Sequence, residues 1–206
     1  MTRHANPELP GRILDTAEKI VAAEGHDALN MRRLAGTAGV TPPTLYYYFR
    51  SKDHLFAQLK LRAAKRLNGK LQRVDLSDPG KALMELAGAY ITFAEENPRL
   101  YRLFTERPVD RSLVSDEEYR TLHFSFFAAE RALEALNKSG PSAFDPQEKA
   151  MTGWILLHGF VSLLTSGTLE GVVGLGREDL KKTFLKNYKN YSGGVRPHEN
   201  DRSGDH

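Results

Sequence analysis

Two short helical segments separated by a glycine turn, within residues 30–48, constrain this chain more than any other feature of its sequence. The first segment would be capped by Asn30 and would bury Met31, Leu34, Ala35 and Ala38, which recur at helical spacing. Gly39 then marks a tight turn. Thr41 followed by Pro42 and Pro43 is a strong helix start, because a hydroxyl side chain caps the helix and the prolines occupy positions whose N–H groups have no partner. Two short helices joined in this way predict a helix-turn-helix.

The rest of the chain carries helical patterns and no convincing alternating strand, so we predict an all-α fold. A first helix runs from Leu9 to Glu24 and ends at Gly25, and a fourth, over residues 52–70, is capped by Ser51. Segments that contain proline or glycine separate the later helices, whose predicted bounds are 80–96, 98–105, 116–138, 146–168 and 177–190. The glycine-rich stretch at 167–176 is predicted to be a loop, and the tail over 192–206 to be disordered.

Composition and charge narrow the classes of function. The chain has no cysteine, which excludes a disulfide framework and a thiolate metal site. No apolar run approaches the ~20 residues that a membrane helix needs, and residues 1–7 lack the features of a secretory signal, so we expect a cytoplasmic protein with no membrane partner. Residues 1–70 contain 12 Lys/Arg and 6 Asp/Glu, whereas residues 71–206 contain 17 and 20. A basic N-terminal third suggests that this end faces a polyanion.

The segment from Asn30 to Lys52 resembles the N-terminal domain of TetR-family repressors. It reads Asn-Met-Arg-Arg-Leu-Ala-Gly-Thr-Ala-Gly-Val-Thr-Pro-Pro-Thr-Leu-Tyr-Tyr-Tyr-Phe-Arg-Ser-Lys, against a family pattern of Thr-x-x-x-Leu-Ala-x-x-Ala-Gly-Val-Ser-x-x-Thr-Leu-Tyr-x-His-Phe-x-x-Lys. Asn30 replaces the usual hydroxyl residue, and Tyr48 replaces the usual histidine. The resemblance implies an N-terminal three-helix DNA-binding unit over residues 1–52, a connector helix over 52–70, and a helical bundle for ligand binding and dimerisation over 71–191.

The resemblance also implies roles for residues of the helix-turn-helix, and these agree with the shape of DNA. An α-helix fits the major groove of B-DNA, and the second helix of the motif is the one that enters it. The candidates for contact with base edges or thymine methyl groups are Thr41, Pro43, Thr44 and Tyr47. Tyr48 and Lys52 are the candidates for phosphate contacts. Tyr46 either packs or touches the DNA backbone, and Arg32 and Arg33 either reach phosphates or remain solvated surface charges.

The second half of the chain is less specific. Trp154, His158 and Gly159 form a Trp-x-x-x-His-Gly segment that resembles one subgroup of TetR C-terminal domains. The candidate ligand-binding residues are Phe93, Tyr101, Phe104, His123, Phe127, Trp154 and His158. An aromatic stripe at helical spacing is more often core than ligand site, so the core alternative stays open for each of them. Because few charges fall among these positions, a small apolar or aromatic ligand is favoured.

By the same resemblance, the last two helices of the chain pair with those of a second copy in a four-helix bundle. Gly153 and Gly159 would allow close approach across the two-fold axis, or would serve packing within one chain. A homodimer is also expected on physical grounds, because one short recognition helix reads too few base pairs and a two-fold axis matches a palindromic operator.

These inferences predict a ligand-responsive DNA-binding transcriptional regulator, a repressor that a small molecule releases from a double-stranded DNA operator. We expect no enzyme, since the sequence has no Gly-x-Ser-x-Gly elbow, no His-Glu-x-x-His motif and no phosphate loop. No cofactor and no metal site are expected. A transcriptional activator is one alternative. A small-molecule-binding helical protein without DNA regulation is another, although the intact Thr41, Tyr48 and Lys52 argue against it.

Overall fold

The computed structural model of this protein describes residues 6–75, 77–139 and 144–192. Within those residues the secondary structure is helical and contains no strand, which confirms the all-α prediction. The α-helices of the described residues are α1 (Leu9–Glu24), α2 (Met31–Thr37), α3 (Pro42–Tyr48), α4 (Lys52–Leu71), α5 (Pro79–Glu96), α6 (Pro98–Glu106), α7 (Asp116–Leu122), α8 (Phe124–Ser139), α9 (Pro146–Thr165), α10 (Thr168–Val173) and α11 (Arg177–Ser192). Short 3₁₀ turns occupy His26–Ala28 and Arg111–Leu113.

The chain divides into two compact units, of which the first comprises the described residues up to 74 together with 89–127. Its core is built around one face of α1, where Ile13, Ala17 and Val21 recur at helical spacing and are fully buried. The other helices of this unit add further fully buried leucines to the same core, namely Leu34, Leu45, Leu55, Leu59 and Leu103. Helices as short as α2 and α3, with seven residues each, are not stable alone in water. Packing against this core therefore holds them in place.

Charged side chains join α4 to α1 along the outside of this unit. Arg62 pairs with Asp15, and Arg66 pairs with Glu18 through two guanidinium nitrogens, one of them with an Nη2–Oε2 distance of 2.6 Å. The pairs lie more than 40 residues apart in sequence, so they fix how α4 lies against the helix-turn-helix unit. Each is partly exposed, so its contribution to stability is at most about 1 kcal/mol.

The second unit comprises residues 75–88 and the described residues from 128 onward, with α9, α10 and α11 packed against one another. The rings of Phe160 and Phe184 stack with their centroids 4.0 Å apart. A Cβ atom at Gly153 would lie only 2.9 Å from the hydroxyl oxygen of Tyr188, so this glycine allows α9 and α11 to approach closely within one chain. At Gly159, by contrast, no atom of the described residues beyond its chain neighbours and the adjacent backbone of α9 lies within 4 Å of the Cβ position.

Two of the predicted elements differ from those in the structure. The single helix expected over 116–138 is interrupted at His123, where α7 ends and α8 begins. The main-chain N–H and the ring nitrogen Nδ1 of His123 both lie within hydrogen-bond distance of the main-chain oxygen of Tyr119, at 3.2 and 2.9 Å. The glycine-rich stretch after α9 was expected to be a loop, yet it contains α10. Gly167 and Gly174 flank α10 with positive φ angles of 75° and 70°, a conformation that glycine adopts without strain.

Of the predicted disordered tail, only Ser192 falls within the described residues. Ser192 is buried and is the last residue of α11. Residues 193–206, to which the rest of that prediction applies, lie outside the described residues.

Candidate nucleic-acid interface

The helix-turn-helix is assembled by local caps that the sequence encodes. The side chain of Asn30 accepts a hydrogen bond from the main-chain N–H of Arg33 at 2.8 Å and begins α2. Gly39 makes the turn with a φ of 68°. The hydroxyl of Thr41 accepts from the N–H of Thr44 at 3.3 Å, with Pro42 and Pro43 at the first positions of α3. Each of these positions matches the role expected from the sequence.

The outward face of α3 is uncharged and rich in aromatic surface. Thr41 and Pro43 are exposed, and the side chains of Tyr46 and Tyr47 are 49% and 72% exposed. Thr44 is half-buried, and its hydroxyl lies 2.8 Å from that of Thr41, so the two hydroxyls form one hydrogen-bonding group at the start of the helix. A short helix with an uncharged, protruding face can approach base edges without a charge to desolvate.

Tyr46 belongs to this exposed face and not to the core, since half of its side chain is accessible. Tyr48 is different: it is half-buried, packs against the hydrophobic core and donates a hydrogen bond to the main-chain oxygen of Asn6 at 3.5 Å. The rings of Tyr47 and Tyr48 meet edge to face with centroids 5.0 Å apart. This contact steadies Tyr47, whose ring is otherwise largely in solvent.

Lys52 is the first residue of α4, directly after the cap residue Ser51. The Ser51 hydroxyl accepts from the N–H of His54 at 3.0 Å. The ammonium of Lys52 lies 5.3 Å from the centroid of the Phe56 ring. A lysine beside the unpaired N–H groups of a helix N-terminus is a favourable place for an anionic phosphate, because the helix dipole adds to the charge.

The two arginines of α2 differ in what they contact. Arg32 is exposed. Arg33 holds Glu24 with both guanidinium amino groups, at 2.8 and 2.5 Å, and also donates to the main-chain oxygen of Ala28 at 3.3 Å. This hydrogen-bonded pair lowers the pKa of the Glu24 carboxyl and raises that of Arg33. Arg33 therefore ties α2 to α1, and it would have to leave Glu24 in order to reach a phosphate.

The five ligand-binding candidates of the first unit are buried or half-buried. Phe93 and Tyr101 are buried, whereas Phe104, His123 and Phe127 are half-buried. Phe93 and Phe104 meet edge to face with centroids 6.5 Å apart, and burial raises the pKa of Tyr101 to about 12. The contact between the Phe93 and Phe104 rings joins two of the candidates directly.

The other two candidates, Trp154 and His158, lie one turn apart on α9 in the second unit. Their ring centroids are 4.3 Å apart, and the ring planes make an angle of 65°. Trp154 is 40% exposed and His158 is half-buried. Burial lowers the pKa of His158 to about 4, so its imidazole is neutral at pH 7.

Sequence reasoning missed the partners of the charged residues and one buried lysine. Lys60 of α4 is 2% exposed, and its ammonium donates to the main-chain oxygen of Arg107. The only signal in the sequence was its place between Leu59 and Leu61 in an apolar stretch.

Among the described residues, none of the helices is both long and apolar enough to cross a membrane.

Models of two known protein families match this chain. Residues 13–59 match the family model described as bacterial regulatory proteins, tetR family. Residues 83–185, half of the chain, match the one described as tetracyclin repressor-like, C-terminal domain. The two matches fall on the helix-turn-helix with its flanking helices and on the helical body that follows.

Individual relatives agree with these matches. An uncharacterized HTH-type transcriptional regulator of Mycobacterium tuberculosis is 28% identical over 161 residues, which cover 78% of this chain and 72% of that protein. The HTH-type transcriptional repressor KstR of the same organism is 33% identical over 129 residues, covering 60% of this chain and 59% of KstR. A solved structure of a protein with unknown function from Rhodococcus shares the fold with a TM-score of 0.72 at 22% identity, over 92% of this chain and 98% of that one.

Proposed function

Because the chain belongs to the TetR family of bacterial regulatory proteins, and is thus a ligand-responsive DNA-binding repressor, we propose that it reads a palindromic operator as a homodimer through α3. The observation that carries the proposal is the protruding uncharged face of α3, with Tyr47 72% exposed, next to the Lys52 ammonium at the start of α4. This role requires no catalysis, and we propose that the protein is not an enzyme and acts in the cytoplasm beside its operator.

Within this interface the residues divide by function. Thr41, Pro43, Thr44 and Tyr47 contact base edges, which sets the preferred sequence. Lys52 and Arg32 contact phosphates, which sets affinity and register. Tyr48 contacts a phosphate once its hydroxyl has released the main-chain oxygen of Asn6. Tyr46 reaches the sugar-phosphate backbone, as its exposure on α3 supports. Arg33 contacts a phosphate only after its guanidinium has released the carboxylate of Glu24.

A pair of substitutions separates these roles. We expect Lys52→Ala to weaken binding to every DNA sequence and to lower the slope of log K against log salt by about 1, since one phosphate contact is lost. Tyr47→Ala should instead change which base is preferred at one position of each half-site. Lys65→Ala, an exposed lysine farther along α4, serves as the control. Equal binding of wild type and Lys52→Ala, or an unchanged site preference for Tyr47→Ala, contradicts the assignment of that residue.

The homodimer is supported by the apolar surface of α9. Large apolar side chains on this helix stay exposed in the single chain, namely Met151, Trp154, Ile155, Leu156 and Leu163. Such a surface is unusual for a monomer and typical of an interface. We propose that α9 and α11 pair with the same helices of a second copy, and that the open position at Gly159 allows close approach there.

Sedimentation of the purified protein tests the dimer. We expect a two-chain species for wild type and a single chain for Ile155→Asp, because a carboxylate in the centre of an apolar interface is costly to bury. Lys182→Asp, an exposed position on α11, is a control for added negative charge. A wild-type protein that sediments as a monomer at micromolar concentration refutes the dimer.

For the effector we propose a small apolar or aromatic molecule that contacts some of Phe93, Tyr101, Phe104, His123, Phe127, Trp154 and His158. The near absence of charged groups from this set supports an uncharged ligand, and burial keeps the imidazole of His158 neutral at pH 7. We also propose that the C-terminal domain belongs to the Trp-x-x-x-His-Gly subgroup. The proposed domain limits are 1–52 for the DNA-binding unit and 71–191 for the ligand-binding and dimerisation domain, with the connector helix at 52–70.

The proposed effector acts by preferring the state of the protein that fits DNA poorly. The chain contains one tryptophan, so intrinsic fluorescence reports directly on Trp154. We expect a bound ligand to change this fluorescence and to weaken operator binding over the same concentration range. If tightly bound aromatic compounds leave operator affinity unchanged, the switch is refuted.

A further inference from the structure

A cleft of about 590 Å³ lies in the first unit, away from the exposed face of α3. Its walls are the 3₁₀ turn at His26–Ala28, α4 and the segment 106–110. The apolar part of the lining includes Phe56, Pro108 and Val109. The volume falls in the range of sites that take small organic ligands, about 300–1,000 Å³.

Lys60 supplies an unusual charge to this cleft. Its side chain is buried, and its ammonium donates one hydrogen bond to the main-chain oxygen of Arg107. Within the described part of the chain, no carboxylate lies within ion-pair distance of it. Burial, with the Arg107 charge nearby, lowers its pKa to about 8. An ammonium group has three donors, so a buried one without an anionic partner leaves a positive charge to be compensated.

Arg107 adds a second cationic group to the same cleft. The guanidinium lies 4.9 Å from the centroid of the Phe56 ring, and its Nη1 is 3.6 Å from a carboxylate oxygen of Asp53. Its Nε is buried and has no hydrogen-bond partner among the described residues. A buried N–H of this kind costs about 1–3 kcal/mol unless something accepts from it.

The carboxylates of the cleft already have partners. Asp27 and Glu106 lie 3.4 and 3.5 Å from the Nε2 of His26, and Glu106 also pairs with Arg102 at 2.7 Å. Asp110 accepts from the main-chain N–H of Ser112 at 2.9 Å, a contact that lowers its pKa. The side chain of Asp27 is 82% exposed and that of Asp53, paired with Arg107, is 71% exposed. All four of these carboxylates belong to exposed residues, whereas the buried Lys60 ammonium has no ion-pair partner among the described residues.

We propose that this cleft binds a small organic carboxylate whose oxygens accept hydrogen bonds from Lys60 Nζ and Arg107 Nε, while its apolar part packs on Phe56, Pro108 and Val109. Hydrogen bonds between cationic donors and a carboxylate are among the strongest in proteins. None of the aromatic candidates for the effector lines the cleft, although the ring centroid of Phe104 lies 5.9 Å from the Lys60 ammonium. Its effect on DNA rests on the proposed function: Lys60 lies on α4, the helix that begins with Lys52, so an occupied cleft modulates operator affinity.

Three probes of equal size and different charge test the site on DNA-free protein: benzoate, benzamide and benzylamine. Binding is measured by titration with ligand-observed NMR. We expect benzoate to bind wild type, and the neutral and cationic probes to bind on the order of tenfold more weakly or not at all. Preference for benzylamine means that the carboxylates lining the cleft determine which probe binds, and it overturns the proposal. The absence of benzoate binding at tens of millimolar overturns it as well.

Substitution of the buried lysine locates the binding. Lys60→Met keeps the apolar stem of the side chain and removes its charge, and Lys65→Met makes the same change at an exposed position of α4. We expect Lys60→Met to weaken benzoate binding on the order of tenfold and Lys65→Met to leave it unchanged. Circular dichroism of both variants establishes that they are folded.

Equal benzoate binding by wild type and a folded Lys60→Met variant refutes the site. Should Lys60→Met fail to fold, Arg107→Leu is the second variant, and unaltered benzoate binding by it refutes the site equally. Because DNA is absent from these titrations, a negative result removes the carboxylate site and leaves the proposed DNA-binding role untouched.

Discussion

Replacement of Lys60 by methionine should make the protein more stable at neutral pH, although it removes a hydrogen bond. The lysine is 2% exposed in the interior of the first unit, so its charged form has lost most of its hydration. In return, its ammonium gains only a hydrogen bond to the main-chain oxygen of Arg107 and a position 5.9 Å from the centroid of the Phe104 ring. Methionine has similar length and no charge, and it can occupy the same space.

The size of the effect follows from the pKa of Lys60. Its depression from 10.5 to about 8 corresponds to about 3 kcal/mol of lost stability when the lysine is charged. Loss of the hydrogen bond from the charged ammonium to Arg107 offsets about 2 kcal/mol of the gain from removing that charge. We therefore expect Lys60→Met to raise the free energy of unfolding by about 1 kcal/mol at pH 7.

The gain should depend on pH in a defined direction. Below pH 8 the folded and unfolded chains both carry the charged lysine, so the full penalty is present. Between pH 8 and 10.5 the unfolded chain binds more protons than the folded one, so the penalty shrinks as the pH rises. The advantage of Lys60→Met over wild type should therefore be largest at pH 7 and much smaller at pH 10.

Urea unfolding of both proteins at pH 7 and pH 10 measures this difference. Protein concentration is held equal, since dimerisation also stabilises the fold. Buried tyrosines such as Tyr101, whose pKa is raised to about 12, are present in both proteins, so their effect on the pH dependence of stability cancels in the comparison. Lys65→Met, an exposed lysine on the same helix, should change stability by less than about 0.5 kcal/mol. A Lys60→Met variant less stable than wild type at pH 7, or an advantage that grows with pH, refutes the reasoning.

Two further substitutions test particular contacts. Ser51→Ala removes the hydroxyl that accepts from the N–H of His54 at the start of α4, and it should cost about 1 kcal/mol in thermal or urea unfolding; no loss would mean that the cap adds nothing. Gly153→Ala places a methyl group 2.9 Å from the Tyr188 hydroxyl oxygen and should destabilise by about 1–3 kcal/mol. Gly69→Ala, which meets no atom within 4 Å in the helix α4, should stabilise by about 0.5–1 kcal/mol, and a reversed order of these two variants contradicts the packing of α9 on α11.

The helix-turn-helix was predictable because its signals are local. Asn30, Thr41 and Ser51 each accept a hydrogen bond from an N–H three residues later, as their type and position in the sequence indicate. Gly39 makes the expected turn with a positive φ. Exposure of Tyr47 followed from the helical spacing of α3 in the same way, since its core-facing neighbour Leu45 is fully buried.

Features that depend on distant residues were not predictable in this way. Arg33 was expected to be solvated or to reach phosphate, and its actual partner Glu24 lies in another helix. The helix break at His123 falls at neither a proline nor a glycine, so the usual helix breakers do not reveal it. Burial of Lys60 requires knowledge of how α4 and α6 pack. Aromatic spacing likewise fails to separate core residues from ligand contacts, because both face the interior.

Selection of binding sites from random duplex DNA, with the full chain as bait, tests most directly that α3 reads an operator. We predict enrichment of a two-fold symmetric sequence whose half-site centres lie about 10–10.5 base pairs or a multiple apart. The same selection with Tyr47→Ala should alter one position in each half-site. Enrichment of no sequence by the wild-type protein, or of a site that Tyr47→Ala and Lys52→Ala bind exactly as wild type does, would contradict the claim.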